Sequence, residues 1–135
     1  MNGSLYGNDD SLVKLLLADD RCDVNYQVGK SNTTALIQAA SWNGNDDSIM
    51  KLILAREECN VNLVTLLGHT ALTTASSEDN ELIVKLLLTK HECNVNYQNK
   101  DGFTALMYAA YRGRESIVKL LINDERCDVN NSKSY

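Results

Sequence analysis

The chain has 135 residues, 44% hydrophobic and 23% charged with no proline, which suits one soluble globular or repeat domain and lacks the bias of a disordered tail. Its 13 basic and 18 acidic side chains leave a net charge of −5, which opposes the counterion release that draws proteins onto nucleic acid, so DNA and RNA are not expected partners. No apolar stretch approaches the roughly 20 residues that cross a bilayer, and Met1-Asn2-Gly3-Ser4-Leu5-Tyr6 has no leader character; no membrane insertion and residence in the cytoplasm or nucleus are expected.

In chain order, the first element is the apolar run Leu12-Val13-Lys14-Leu15-Leu16-Leu17, followed by Cys22-Asp23-Val24-Asn25. Both return. The tetrapeptide recurs as Cys59-Asn60-Val61-Asn62, Cys93-Asn94-Val95-Asn96 and Cys127-Asp128-Val129-Asn130, at intervals of 37, 34 and 34 residues. The run recurs as Ile49–Leu54, Ile83–Leu88 and Ile117–Ile122, each with a lysine at its third position. Periods of this length mark a solenoid, an architecture that usually binds macromolecules rather than catalysing reactions.

Between each tetrapeptide and the next run lies a second pattern: Thr34-Ala35-Leu36-Ile37, Thr70-Ala71-Leu72-Thr73 and Thr104-Ala105-Leu106-Met107. Each unit thus predicts a capping threonine, a short inner helix, a turn, an outer helix and a loop. Helices below about 12 residues are marginal alone, so these must be stabilised by stacking. Small pairs at Ala39-Ala40, Ala75-Ser76 and Ala109-Ala110 allow close approach of inner helices. Gly44, Asp79 and Gly113 fall at the turn that needs a left-handed residue. The acids at Asp9-Asp10, Asp46-Asp47, Glu81 and Glu115 are expected to cap the outer helices and meet their positive ends. Lys14, Lys51, Lys85 and Lys119 read as a solvated outer face. The first full unit carries its extra residues in two loops, Trp42 to Asp47 and Tyr26 to Thr33.

Asp101-Gly102-Phe103-Thr104-Ala105-Leu106-Met107-Tyr108-Ala109-Ala110, followed by Gly113, Ile117–Ile122 and Asp128-Val129-Asn130, resembles the ankyrin repeat. The resemblance covers about residues 8 to 130, as a partial repeat over 8–28 and repeats over 29–65, 66–99 and 100–131. The family's Thr-Pro-Leu-His reads Thr-Ala-Leu-Ile, Thr-Ala-Leu-Thr and Thr-Ala-Leu-Met here, and the loop before each cysteine is one residue longer. The resemblance implies an all-α solenoid of antiparallel helix pairs joined by β-hairpin-like fingers. It also implies a concave face made of fingers and inner helices.

The four cysteines sit one per unit, without metal-ligand spacing. Equivalent positions in stacked helical layers lie about 8–10 Å apart, too far for a disulfide, so buried core thiols are expected. His69 and His91 lack the partners of a nucleophile or metal site, so no enzymatic activity, metal or cofactor is expected. Asn25, Asn62, Asn96 and Asn130 are expected to hold neighbouring main chain; by the resemblance, they are also possible substrates of an asparaginyl hydroxylase.

Scaffold positions repeat, whereas recognition positions have no reason to. By the resemblance, the divergent concave positions are Lys30, Ser31, Thr33, Ser41 and Trp42; Leu66, Leu67, His69, Ser77 and Glu78; and Lys100, Asp101, Phe103, Tyr111 and Arg112. Trp42, Leu66, Leu67, Phe103 and Tyr111 are the expected anchors for a protein or peptide. The alternative is that Leu66 and Leu67 fold inward and Trp42 packs against its own loop. A spacer or regulatory segment of a longer enzyme, channel or signalling protein is the second functional reading. Uncapped terminal units would favour self-association.

Overall fold

The computed structural model describes residue 15, residues 18–42 and residues 47–130. The helices are α1 (Ala35–Ala40), α2 (Ser48–Leu54), α3 (Ala71–Ser77), α4 (Glu81–Leu88), α5 (Ala105–Tyr111) and α6 (Glu115–Ile122). Among the described residues there is no strand, and the only bridge is Val28 to Thr33 at the base of the first finger. The expected all-α stack is present. The expectations at Asp9-Asp10, Lys14 and Gly44, and most of the partial repeat's helical run, lie outside the described residues.

Each inner helix begins at its threonine. Thr34, Thr70 and Thr104 accept from the amides of Ile37, Thr73 and Met107 at 3.2, 3.1 and 3.2 Å. Such a cap stabilises a helix by about 1 kcal/mol. In α3 the Thr73 hydroxyl completes a capping box, 2.8 Å from the Thr70 amide that donates to it.

The outer helices start differently, which corrects the capping expectation. Their N-cap residues, Asp47, Asn80 and Arg114, make no side-chain cap bond. Two of them reach back one unit instead. Asn80 Nδ2 donates to the carbonyls of Ala40 (3.3 Å) and Trp42 (2.7 Å), and the Arg114 guanidinium donates to the Ser77 carbonyl (3.2 Å). The left-handed residue just before each, Asp79 (φ 61°) or Gly113 (φ 73°), turns the chain so that this side chain faces the end of the preceding inner helix. The acids serve the exposed face: Asp47, Glu81 and Glu115 pair with Lys51, Lys85 and Lys119 at 3.4, 3.6 and 3.4 Å. Such i,i+4 pairs add only about 0.2–0.5 kcal/mol each, as expected of a solvated lysine row.

The core runs along the seams. Helix α3 packs between α1 and α5, each inner helix packs on its own outer helix, and α4 packs on α6. Ala40, Ala71, Ala75, Ser76 and Ala109 are fully buried, while Ala110 is exposed on the last inner helix. Met50, Ile53, Val84, Leu87, Ile117 and Leu121 fill the space between the rows. All four cysteines are free thiols; Cys59 and Cys93 are buried, but Cys22 and Cys127, in the end layers, are only half-buried.

Three of the four recurring asparagines join the layers as expected. Asn25 Nδ2 donates to the Glu58 carbonyl (2.7 Å) while its Oδ1 accepts from the Asn60 amide (2.7 Å). Asn62 repeats this with Glu92 and Asn94 (both 2.8 Å), and Asn96 with Arg126 (2.8 Å) and Asp128 (2.7 Å). Each amide therefore uses both ends across a unit boundary.

Candidate functional site

The second and third fingers share one backbone design. Thr65 and His69 close the second, with Thr65 N donating to His69 O (2.9 Å) and Gly68 N to Thr65 O (2.9 Å). Asn99 and Phe103 close the third in the same way, at 3.1 and 2.9 Å. Gly68 and Gly102 take φ values of 87° and 84°, which favour glycine. In this register the tip positions are Leu66 and Leu67 in one finger and Lys100 and Asp101 in the other.

Neighbouring fingers are also tied together. Leu66 N donates to Ser31 O (2.9 Å), and Gln27 Nε2 to Val64 O (2.9 Å). A Cβ at Gly68 would stand 2.8 Å from Asn99 Cβ, so the second and third fingers touch. With its main chain held on both sides, the second finger presents Leu66 and Leu67 outward, 63% and 76% exposed. The inward alternative therefore fails for the leucines. Trp42 is half-buried and packs on the core, so it is not the open anchor expected of it.

Phe103 is also half-buried. Its ring lies 5.2 Å from that of Tyr108, which lies 5.4 Å from His69. Asn99 Nδ2 donates to the Tyr108 hydroxyl (2.8 Å), while Asn99 Oδ1 accepts from the amides of Asp101 and Phe103 (2.9 and 3.0 Å). His69 Nδ1 is buried with no hydrogen-bond partner among the described residues, and burial holds the ring's pKa below the ordinary histidine value. Burial, with Asp101 nearby, raises the Tyr108 phenol. Tyr108 and Asn99 were missing from the sequence candidates. A signal was available for Tyr108, since its position reads Gln38, Thr74 and Tyr108 through the units and so diverges like the chosen ones.

The remaining candidates form a polar and partly aromatic surround. Lys30, Ser31, Lys100 and Asp101 are exposed, and Thr33 is half-buried in the finger base. Ser41, Glu78 and Arg112 are the C-cap residues of α1, α3 and α5. Ser77, the last residue of α3, is half-buried. Tyr111, at the end of α5, is 81% exposed.

Among the described residues no group of three or more His, Cys, Asp or Glu could hold a metal ion, and no helix is long and apolar enough to cross a membrane. Burial pushes the Cys59 and Cys93 thiols up to about 11, which keeps them protonated and poor nucleophiles at neutral pH.

Paired helices in register, capping threonines and cross-unit asparagines define a helical repeat protein that presents fingers. The family model described as Ankyrin repeats (3 copies) matches residues 1–98 and 36–133, and the chain belongs to the ankyrin repeat family. Members of this family are generally protein–protein interaction modules and generally non-catalytic. No curated protein matches the chain.

Proposed function

We propose that the chain is a non-catalytic scaffold that holds a protein or peptide segment against its fingers and inner helices. The observation that carries this reading is the leucine pair at the second fingertip, exposed although its backbone is fixed. Two adjacent large apolar side chains held in water are a binding feature rather than a packing one. Leu66, Leu67 and Tyr111 supply the apolar contacts, and the half-buried rings of His69 and Phe103 add to them. Lys30, Thr33, Ser41, Glu78, Lys100, Asp101 and Arg112 supply the polar rim, and Trp42 supports from the core side. The four free thiols suit a reducing cytoplasm or nucleus.

The test is affinity capture read by mass spectrometry, comparing wild type with Leu66→Ser/Leu67→Ser. Specific partners should be lost with the variant while its melting temperature holds. Capture at wild-type strength by the variant would overturn the assignment.

A second reading, a spacer or regulatory segment of a longer chain or a self-associating unit, is favoured by the outer layers. Ala35 is exposed where Ala71 and Ala105 are buried, and Ala110 is exposed where Ala40 and Ser76 are buried. These end faces have the composition of interior ones. Sedimentation at increasing concentration would show association through them, and a strictly monomeric chain would remove the self-associating form.

A further inference from the structure

The loop that leaves each outer helix carries a charged tripeptide just before the recurring cysteine. In three of the four loops its first and third residues form an ion pair: Asp19 with Arg21 (2.7 Å), Arg56 with Glu58 (2.7 Å) and Asp124 with Arg126 (2.8 Å). In Lys90-His91-Glu92 that pair does not close, and Glu92 faces His91 at 3.7 Å instead.

Two of these arginines also fill the groove between their own loop and the preceding one. Arg56 Nη2 donates to the Cys22 carbonyl at 2.8 Å. Arg126 does more: Nη1 donates to Lys90 O (2.9 Å), His91 O (3.4 Å) and Cys93 O (3.4 Å), and Nη2 to Leu88 O (2.8 Å). Leu88 ends α4, where the helix dipole is negative, and the other three carbonyls lie in the loop that leaves it.

One groove earlier the register is the same but the plug is missing. Glu92 stands where Arg126 stands, and a carboxylate has no proton to donate. What remains is a cavity of about 360 Å³ lined by Leu54, Arg56, Glu57 and Cys59, the counterparts of Leu88, Lys90, His91 and Cys93, and by Lys90 and Glu92 from the next loop.

We propose that this cavity receives an arginine side chain from a partner protein. Its planar fork of donors suits several convergent carbonyls, as Arg126 shows within the same molecule, where an ammonium would satisfy fewer. The charge around the cavity favours a cation. Glu57 and Glu92 and the end of α2 outweigh Lys90, and the Arg56 charge is already matched by Glu58. The cavity shares no residue with the fingertips, so it stands or falls independently of the leucine pair.

The probe is N-acetyl-arginine amide, titrated into isotope-labelled protein and followed by backbone amide shifts. Saturable shifts are expected within residues 54–61 and 89–93 and not with N-acetyl-citrulline amide, its neutral counterpart. The Lys90→Asp/Glu92→Arg variant writes the Asp124–Arg126 pair into this loop. It should abolish those shifts and raise the melting temperature, because the groove is then filled from within. Should that variant not fold, Glu92→Gln should weaken arginine binding several-fold. Equal shifts with citrulline, shifts with N-acetyl-aspartate amide in place of arginine, or unchanged binding in the folded variants would overturn the proposal.

Discussion

Ala71, Ala75, Ala105 and Ala109, on the seam between inner helices, are 0–1% exposed, whereas Leu66 and Leu67 at the second fingertip are 63% and 76% exposed. The seam carries small residues because helix axes this close leave no room for larger ones, and it repeats from unit to unit. The fingertip carries large apolar residues that the stack does not use, and it does not repeat: Lys100 and Asp101 hold the same turn positions one finger on. Burial here follows position within the unit more closely than hydrophobicity, so changes at the two places should have opposite consequences.

The largest effect is expected on the seam. Ala109→Leu forces a branched side chain between α3 and α5 and should cost on the order of 3 kcal/mol, read as a lowered urea midpoint. A cost as small as that of a fingertip change would break the comparison. Next come the cross-unit amides. Asn62→Ala removes two bonds of about 1 kcal/mol each, so a loss of about 2 kcal/mol is expected.

His69 lies between the two regions and sharpens the contrast through pH. Its folded-state pKa is lowered by burial, so the unfolded chain takes up the proton first. Its contribution is fully present above about pH 6.5 and is lost as the pH falls through the lowered folded value. The urea midpoint should therefore drop below pH 6.5, and His69→Phe, which copies Phe103, should flatten that drop. The smallest effect on stability belongs to Leu66→Ser/Leu67→Ser, within about 0.5 kcal/mol by thermal melting.

The repeating features were legible in the sequence because each solves a local problem three or four times. The threonine caps, the left-handed turn at Asp79 and Gly113, and the asparagine links all occupy the positions their spacing implied. The outer-helix starts were misread because an acid near a helix start suggests a cap, while the carbonyls that recruit Asn80 and Arg114 belong to a different unit and leave no mark in the sequence. Arg126 was overlooked for the same reason, since its acceptors are main chain. Trp42 and Phe103 were expected to be open anchors, but rings of that size at the edge of a stack find partners, Trp42 on the core and Phe103 on Tyr108. Replacing both by alanine would therefore disturb stability as well as capture.

The asparagine links run one way, each side chain gripping the unit that follows it. Interior loops are thus held on two sides, those at the extremities on one. Under tension applied to its ends, the stack should shed layers sequentially from the outside, each rupture exposing the next grip, so that the total work of pulling it apart, rather than the peak force, scales with the number of intact rungs.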